Sequence, residues 1–544
     1  AINDFQQTIE NYVSASHFII EKTAAAEKFL SLKDSLKQFS DVIIGLHDMS
    51  RHASKNYGLT ENSIQFLKNL SAESNVILVV FGNPYSLQHF DLLPCIINAY
   101  EDNAITRSFA AQLIFGAIGA DAKLPVSATA KYYSGYGKKL QGGLRFKYTI
   151  PEEVGIASKD LLKIDSLAQK AINEKMTPGC QIVFAKDGKV FYRKSFGYHT
   201  YDSTAAVKNT DIYDVASVTK IAATTISLMK LYDDGKFYLD KTVIDYLPET
   251  KKTEVEKLKM HDILLHQSGL QGWIPFYQHF MTPTLYKKWF RDEEHKGFNI
   301  KVADSLYVKN IVDDTIFKTI YNAKVEKKPV YKYSDLGFYM FSKIINELSE
   351  NRIDSFAAQT FYHPLGLRNT AYIPLEKFSK DRLIPTENDT VFRKQIVQGY
   401  VHDPGAALLG GVSGHAGLFS NAPDIAIIMQ MLLNKGTYGG KKFISAPTVE
   451  LFTKTHLEKT RRGLGFDKPE PDTTKSSPTA AGASLETFGH SGFTGTCAWA
   501  DPKHNLVYVF LSNRTFPDAT NNKLAQQNIR TDIMQVVYDA IERR

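Results

Sequence analysis

Apolar residues in the first 130 positions fall into short runs separated by helical periodicity. Runs at 16–20, 42–46, 76–81 and 96–100 have the length and composition of strands, while 24–38, 61–70 and 106–116 repeat apolar residues at helical spacing. Strand alternating with helix predicts a mostly parallel sheet with helices on both faces, an α/β sandwich domain over residues 1–131. The stretch 132–143 is rich in Gly, Tyr and Lys with neither period, and 144–150 is a short strand, so 132–150 reads as a linker. The pattern then changes. A helix over 159–174 leads into a hairpin, 181–186 and 189–196, closed by Asp187-Gly188. A second hairpin, 496–500 and 506–512, and a helix over 523–542 end the chain. Strands at both ends with helices between predict a second, α+β domain over 151–544. Its antiparallel sheet is covered on one side by the terminal helices and on the other by an all-helical lobe, with a cleft between sheet and lobe. The aromatic-rich segment 273–328 is expected on the cleft rim, and the polar, proline-containing 467–484 as a flexible loop.

Bulk properties narrow the picture only slightly. The chain has 544 residues, 43% hydrophobic and 23% charged, which suits a globular protein of two or more domains. Its net charge of +7 is small for that length and scattered, which argues against a nucleic-acid partner. No apolar run reaches the ~20 residues that span a bilayer. Cys95, Cys180 and Cys497 are too few and too far apart for a disulfide framework or a zinc site, and each reads as a buried small hydrophobe. His47, Asp48 and His52 have a spacing that suits no helix face, so neither a metal nor another cofactor is expected. The opening residues show no charged n-region and no apolar h-region of a signal segment.

Candidate chemistry lies in the second half. Ser217 stands where a strand-like run, 211–216, gives way to a helical pattern over 221–234, with Lys220 three residues on. That spacing stacks both side chains on one helix face, so the lysine can hold or accept the serine proton during nucleophilic attack. Tyr333-Ser334-Asp335 precedes an amphipathic helix, 336–348. Beside a lysine ammonium the tyrosine would ionise more readily and act as a phenolate-type base or proton shuttle. His490-Ser491-Gly492-Phe493 precedes the last hairpin. The glycine lets a substrate approach the strand closely, and the N–H groups of Phe493 and Ser217 can form an oxyanion hole.

Ser-Val-Thr-Lys is the S-x-x-K nucleophile motif of penicillin-recognising serine enzymes. With Tyr-Ser-Asp, His-Ser-Gly, HDILLHQSGL (261–270) and VHDPGAALLGGVSGHAGLFS (401–420), the chain from about 150 onward resembles the beta-lactamase-related serine hydrolases: class C beta-lactamases, D-Ala-D-Ala carboxypeptidases and esterases. The resemblance implies a penicillin-binding/beta-lactamase-like fold and an acyl-serine mechanism. Two positions depart from the family pattern: Asp335 stands for asparagine, and His490 for the lysine that would pair with a substrate carboxylate. Penicillin turnover is therefore expected to be poor beside that of a small activated ester. A histidine with an ordinary pKa near ~6.5 would strengthen anion binding as pH falls below neutral. In the GGVSGHAG loop, His415 could orient substrate or serve the structure.

The first 130 residues resemble the C-terminal α/β domain of family 3 glycoside hydrolases, on FGNPY (81–85), AYE (99–101), AAQLIFGAIG (110–119) and KLPVS (123–127). In that family a preceding barrel carries the catalytic aspartate. The resemblance implies a larger parent, a beta-N-acetylglucosaminidase–beta-lactamase-like fusion with the glycosidase barrel upstream, located outside the cytoplasm in a bacterial periplasm or envelope.

These readings converge on a metal-independent serine hydrolase. Ser217 is the nucleophile and Lys220 and Tyr333 the acid/base pair. His490, Asp335 and Ser491 contact substrate or relay protons, while Gly492 and Phe493 shape the oxyanion site. The substrate class is an amide or ester, a cell-wall peptide or D-amino-acid compound derived from peptidoglycan. The alternative is a non-catalytic wall-binding or scaffold module serving the upstream glycosidase.

Overall fold

Backbone pairing in the first unit rests on three short strands: β1 (Asp41–Leu46), β2 (Asn75–Val80) and β3 (Cys95–Asn98), in the order β1–β2–β3 and all parallel. The computed structural model that shows this describes residues 2–327, 330–456 and 460–543. It divides the chain into two units, Ala1–Lys147 and Tyr148–Arg544. The first unit's α-helices are α1 (Asp4–Ile9), α2 (Ala26–Leu36), α3 (Glu61–Ser71) and α4 (Ala104–Ile114). Side chains alternate along β2. Val76, Leu78 and Val80 join Phe29, Leu36, Ile64 and Leu67 of α2 and α3. Val79 and the following Phe81 join Phe5, Ile9, Ala110 and Ala111 of α1 and α4. The sheet is therefore covered on both faces.

Four expectations for this unit fail. Residues 16–20 form no strand: Phe18 and Ile19 are exposed, and His17 turns to Glu10 at 2.8 Å. The stretch 132–143 is not a free spacer. Tyr132 is buried in the α2–α3 cluster, and the N–H groups of Leu124 and Ala120 donate to the carbonyls of Tyr136 and Leu140 at 2.8 and 3.1 Å. Of the strand expected over 144–150, only Lys147–Tyr148 forms. Cys95 opens β3 exposed to solvent, whereas Cys180 and Cys497 are buried as expected.

In the second unit, helix α5 (Leu162–Asn173) precedes β4 (Gly179–Lys186) and β5 (Lys189–Gly197), joined by the expected Asp187-Gly188 turn with both residues at positive φ. Helices α6 (Ile226–Asp233), α7 (Leu336–Ser349) and α8 (Ala422–Leu433) follow. Strands β6 (Phe488–Ser491), β7 (Cys497–Asp501) and β8 (Leu506–Ser512) and helix α9 (Ile529–Glu542) close the chain. The strands run antiparallel in the order β6–β7–β8–β4–β5, with Thr149 donating to Val190 at the β5 edge. Every residue of β8 is buried because both sheet faces are covered, which is why it reads as a continuous apolar run rather than an alternation. Ile182, Phe184, Trp499, Tyr508 and Phe510 pack with Ile164 and Ala168 of α5 and Ile533 and Val537 of α9. Helix α8 packs against β4, β7 and β8.

The lobe beyond the sheet is not all-helical. It holds a small antiparallel sheet of Phe290–Arg291, Ile300–Ala303 and Leu306–Val308. Nor is 467–484 free throughout. Asp467 and Gly489 exchange backbone hydrogen bonds at 2.8 and 3.0 Å, and the buried Lys468 ammonium donates to the carbonyls of Thr453, Glu486 and Thr487. Of the segment expected on the cleft rim, Lys328 lies outside the described residues. Among the described residues no helix is long and apolar enough to cross a membrane.

Trp499 is 1% exposed at the centre of the larger core. Trp499→Ala is expected to cost about 3–5 kcal/mol of stability and Trp499→Phe distinctly less. Urea unfolding followed by circular dichroism checks this as a lower midpoint.

Candidate active site

The turn that presents Ser217 is strained and pinned on all sides. Ala216, just before it, has φ +47, a left-handed conformation that costs an L-residue energy and persists only when its surroundings over-determine it. Asp214 Oδ1 accepts the Ala216 N–H at 2.8 Å, and Leu418 O accepts the Val215 N–H at 3.1 Å. The Thr494 and Thr496 hydroxyls donate to the carbonyls of Asp214 and Val215 at 2.8 and 3.0 Å. Of the predicted 211–216 strand, Tyr213–Asp214 pairs with Phe419–Ser420 and Ile212 forms a parallel bridge with Leu383. The helical run then opens as a π-helical segment, Lys220–Thr225, before α6. One turn after Ser217, the Lys220 ammonium donates to Ser217 Oγ at 2.8 Å and to His415 O at 3.0 Å.

Lys220 is wholly buried, yet it is charged. Burial pulls its pKa down, but Asp335 Oδ1 at 2.7 Å and the Tyr333 oxygen more than offset this, and the net shift is upward. The rings of Tyr333 and Phe338 lie 5.1 and 5.5 Å from the ammonium and add cation–π attraction. Tyr333 completes the cluster by donating its hydroxyl to Ser217 Oγ at 3.0 Å. As expected, the Lys220 cation favours the ionised phenol, but it does not decide the outcome. Burial and the Asp335 charge raise its pKa more than the Lys220 cation lowers it. The resting site is thus a neutral phenol and an ammonium, both donating to one serine oxygen. Asp335 ion-pairs with Lys220 and also lines the cleft.

Strand β6 brings His490, Ser491, Gly492 and Phe493 to the other wall of the same cleft. His490 is buried, and its Nδ1–H donates to Ser491 O at 2.6 Å. Burial, with Arg462 and Lys220 nearby, pulls its pKa down to about 3. The expected gain of positive charge just below neutral pH therefore does not occur. At Gly492 a Cβ would lie 2.2 Å from Thr496 Oγ1 and 2.6 Å from Val215 O. This glycine thus admits the protein's own nucleophile turn, and it also lines the cleft. Phe493 is 54% exposed and its ring lies 5.4 Å from that of His402.

The cation absent from position 490 is present nearby. Arg462 lines the cleft with its guanidinium carbon 5.5 Å from the Tyr333 ring. Its Nε and Nη2 donate to Tyr331 OH at 3.0 and 2.6 Å, and Asp467 lies 3.6 Å away. Its Nη1 is buried without a hydrogen-bond partner among the described residues. Sequence reasoning missed this residue because an Arg-Arg pair before Gly463 looks like any solvated basic doublet. Trp273 and Tyr277, from the expected rim segment, also line the cleft, whose volume is about 810 Å³. His415 serves the structure through its ring, with Nε2 on Asp403 at 2.8 Å, Nδ1 on Ser413 at 2.9 Å and the ring stacked on Tyr339. The part of it that touches Lys220 is its carbonyl. Among the described residues no three His, Cys, Asp or Glu side chains are grouped to hold a metal ion.

Comparison with known proteins matches this architecture. A family model described as Beta-lactamase matches residues 164–531. An N-acetylmuramyl-L-alanine amidase of Bacillus subtilis (strain 168) is 30% identical over 427 residues, 72% of this chain and 91% of the relative. A protein of Salmonella agona (strain SL483), provisionally named D-alanyl-D-alanine carboxypeptidase, is 32% identical over 402 residues, 69% of this chain and 87% of the relative. EstCE1, a hydrolase with promiscuous acyltransferase activity, shares the fold at TM-score 0.51 and 18% identity, over 70% of this chain and 99% of its own. The family match includes every residue of the cleft from Asp214 to Phe493, and the chain belongs to the beta-lactamase family.

Proposed function

We propose that the chain is a serine hydrolase that opens an amide or ester of a cell-wall peptide through an acyl-serine intermediate. The observation that carries this reading is Ser217 Oγ held at 2.8 Å from Lys220 Nζ and 3.0 Å from Tyr333 OH inside the cleft. Ser217 attacks the substrate carbonyl and its proton passes into the Lys220–Tyr333 pair. The N–H groups of Ser217 and Phe493 hold the oxyanion. As the tetrahedral adduct collapses, the pair returns the proton to the leaving group, and water later releases the acyl chain. Because both members of the pair have raised pKa values, the competent base is the form short of one proton, and its share grows with pH.

The names of the amidase and carboxypeptidase relatives support peptidoglycan peptides as the substrate class. A D-amino-acid peptide of that class ends in a carboxylate, and Arg462 Nη1 is a buried donor suited to it. His490, neutral, contributes shape and a hydrogen-bond site rather than charge. The likeness of the first unit to a family 3 glycoside hydrolase accessory domain supports a parent protein outside the cytoplasm that pairs peptide and glycan cleavage.

Three measurements check this reading. Ser217→Ala abolishes labelling by a fluorophosphonate in intact-mass spectra, together with ester and peptide turnover, while the circular dichroism spectrum is unchanged. Asp335→Asn removes the carboxylate that raises the pKa of both Lys220 and Tyr333, so both fall. The rise of kcat/KM with pH then moves to lower pH, and an unmoved or alkaline-shifted profile contradicts the assignment. Arg462→Gln raises KM about tenfold for a peptide ending in a free carboxylate and leaves a neutral nitrophenyl ester unaffected, the size of one lost charge-assisted hydrogen bond. That preference for the carboxylate stays flat between pH 6 and 8, because a guanidinium is a permanent cation and His490 does not titrate there.

A further inference from the structure

Tyr333 must hold its hydroxyl 3.0 Å from Ser217 Oγ, yet it sits in an irregular segment that becomes helical only at Leu336. What fixes it is the connection after the short helix Met260–Leu264. That helix ends with the His266 N–H donating to Ile263 O at 3.0 Å and the Gln267 N–H donating to Asp262 O at 2.8 Å. These two bonds are the Schellman pattern, and His266 occupies its left-handed position with φ +56. Glycine is the residue that adopts this conformation without cost, and a histidine there sacrifices backbone stability. Its side chain has an identifiable use.

We propose that His266 is the positioning residue for Tyr333. Its ring lies 4.6 Å from the Tyr333 ring and 5.7 Å from that of Phe338, stacked on the latter. Its Nδ1 accepts the Ser334 N–H at 3.1 Å, and its carbonyl accepts the Lys332 N–H at 2.9 Å. One residue therefore grips the tyrosine ring and the backbone on both sides of it. The Ser334 hydroxyl and Asp335 N–H then donate to Gln271 O and Gly272 O at 2.6 and 2.8 Å, continuing the attachment along the same connection. An N–H arriving at Nδ1 requires a lone pair there, so the ring must be neutral with its proton on Nε2. Burial, reinforced by the Arg462 and Lys220 cations, holds the imidazole well below its ordinary pKa and keeps that lone pair available. Phenylalanine would supply the ring without the acceptor, and asparagine an acceptor that tolerates the left-handed backbone without the ring. Histidine supplies both.

This inference rests on the acyl-serine reading, and the experiment separates the two. In the full chain, His266→Phe and His266→Asn are made alone and on a Tyr333→Phe background, with Ser217→Ala as control, and kcat and KM are measured on a nitrophenyl ester. Each His266 variant alone is expected to lower kcat about tenfold or more with KM within twofold, since a misplaced acid/base group slows chemistry rather than binding. On the Tyr333→Phe background each is expected to add less than a twofold loss, because the hydroxyl being positioned is already gone. Should His266→Phe fail to fold, the asparagine cycle decides alone. Losses that multiply with Tyr333→Phe, a loss carried by KM, or wild-type kcat in the variants overturns the role of His266. Turnover that survives Ser217→Ala overturns the acyl-serine reading itself, and the inference with it.

Discussion

A charge with no access to water organises the second unit. The Lys220 ammonium has no solvent exposure, and an ion taken out of water must be compensated nearly completely by its neighbours or it discharges. The compensation comes from three parts of the chain: Ser217 one turn before it, the segment that runs from Tyr333 and Asp335 into Phe338 of α7, and the carbonyl of His415. Of those partners, Ser217, Tyr333, Asp335 and His415 also line the cleft. The stability of the buried cation and the assembly of the reaction centre are therefore the same requirement.

The same constraint explains why neighbouring groups titrate as they do. A cation held permanently at Lys220 and another at Arg462 leave no room for a third, so burial and repulsion keep both His266 and His490 neutral. Neutral histidines can accept hydrogen bonds, and His266 does so from the backbone of the tyrosine segment. Arg462, buried in the cleft wall with Nη1 unpartnered among the described residues, is the group we propose for recognition of an anionic substrate. The carboxylate at 335 pairs with Lys220.

Close backbone approach is the second requirement. Gly492 admits Val215 and Thr496, and Gly414 brings the His415 loop against Phe338, where a Cβ would lie 2.2 Å from the Phe338 carbonyl oxygen. These two glycines let the nucleophile turn, β6 and α7 meet at one point. The strain at Ala216 is tolerated because the two residues before it are hydrogen-bonded to Thr494 and Thr496, in the turn between β6 and β7, and to the loop at 418.

Much of this was legible in the chain itself. The i, i+3 spacing of Ser217 and Lys220, the Asp187-Gly188 turn, and the uninterrupted apolar run of β8 each express local geometry, which sequence encodes directly. Periodicity also located β1, β2, β3 and most helices, because a buried face must repeat with the backbone. It failed at 16–20, where an apolar run found no ladder partner, and at 132–143, where a polar-looking stretch is held by backbone hydrogen bonds that carry no side-chain signature. The raised pKa of Tyr333, the neutrality of His490, the service of Asp335 to Lys220 and the place of Arg462 in the cleft were decided only by tertiary structure. Each depends on how deeply a group is buried and which charges, more than 100 residues away along the chain in the case of Lys220 and Asp335, fold back against it. Desolvation and through-space charge are properties of the packed chain, and no spacing in the sequence records them.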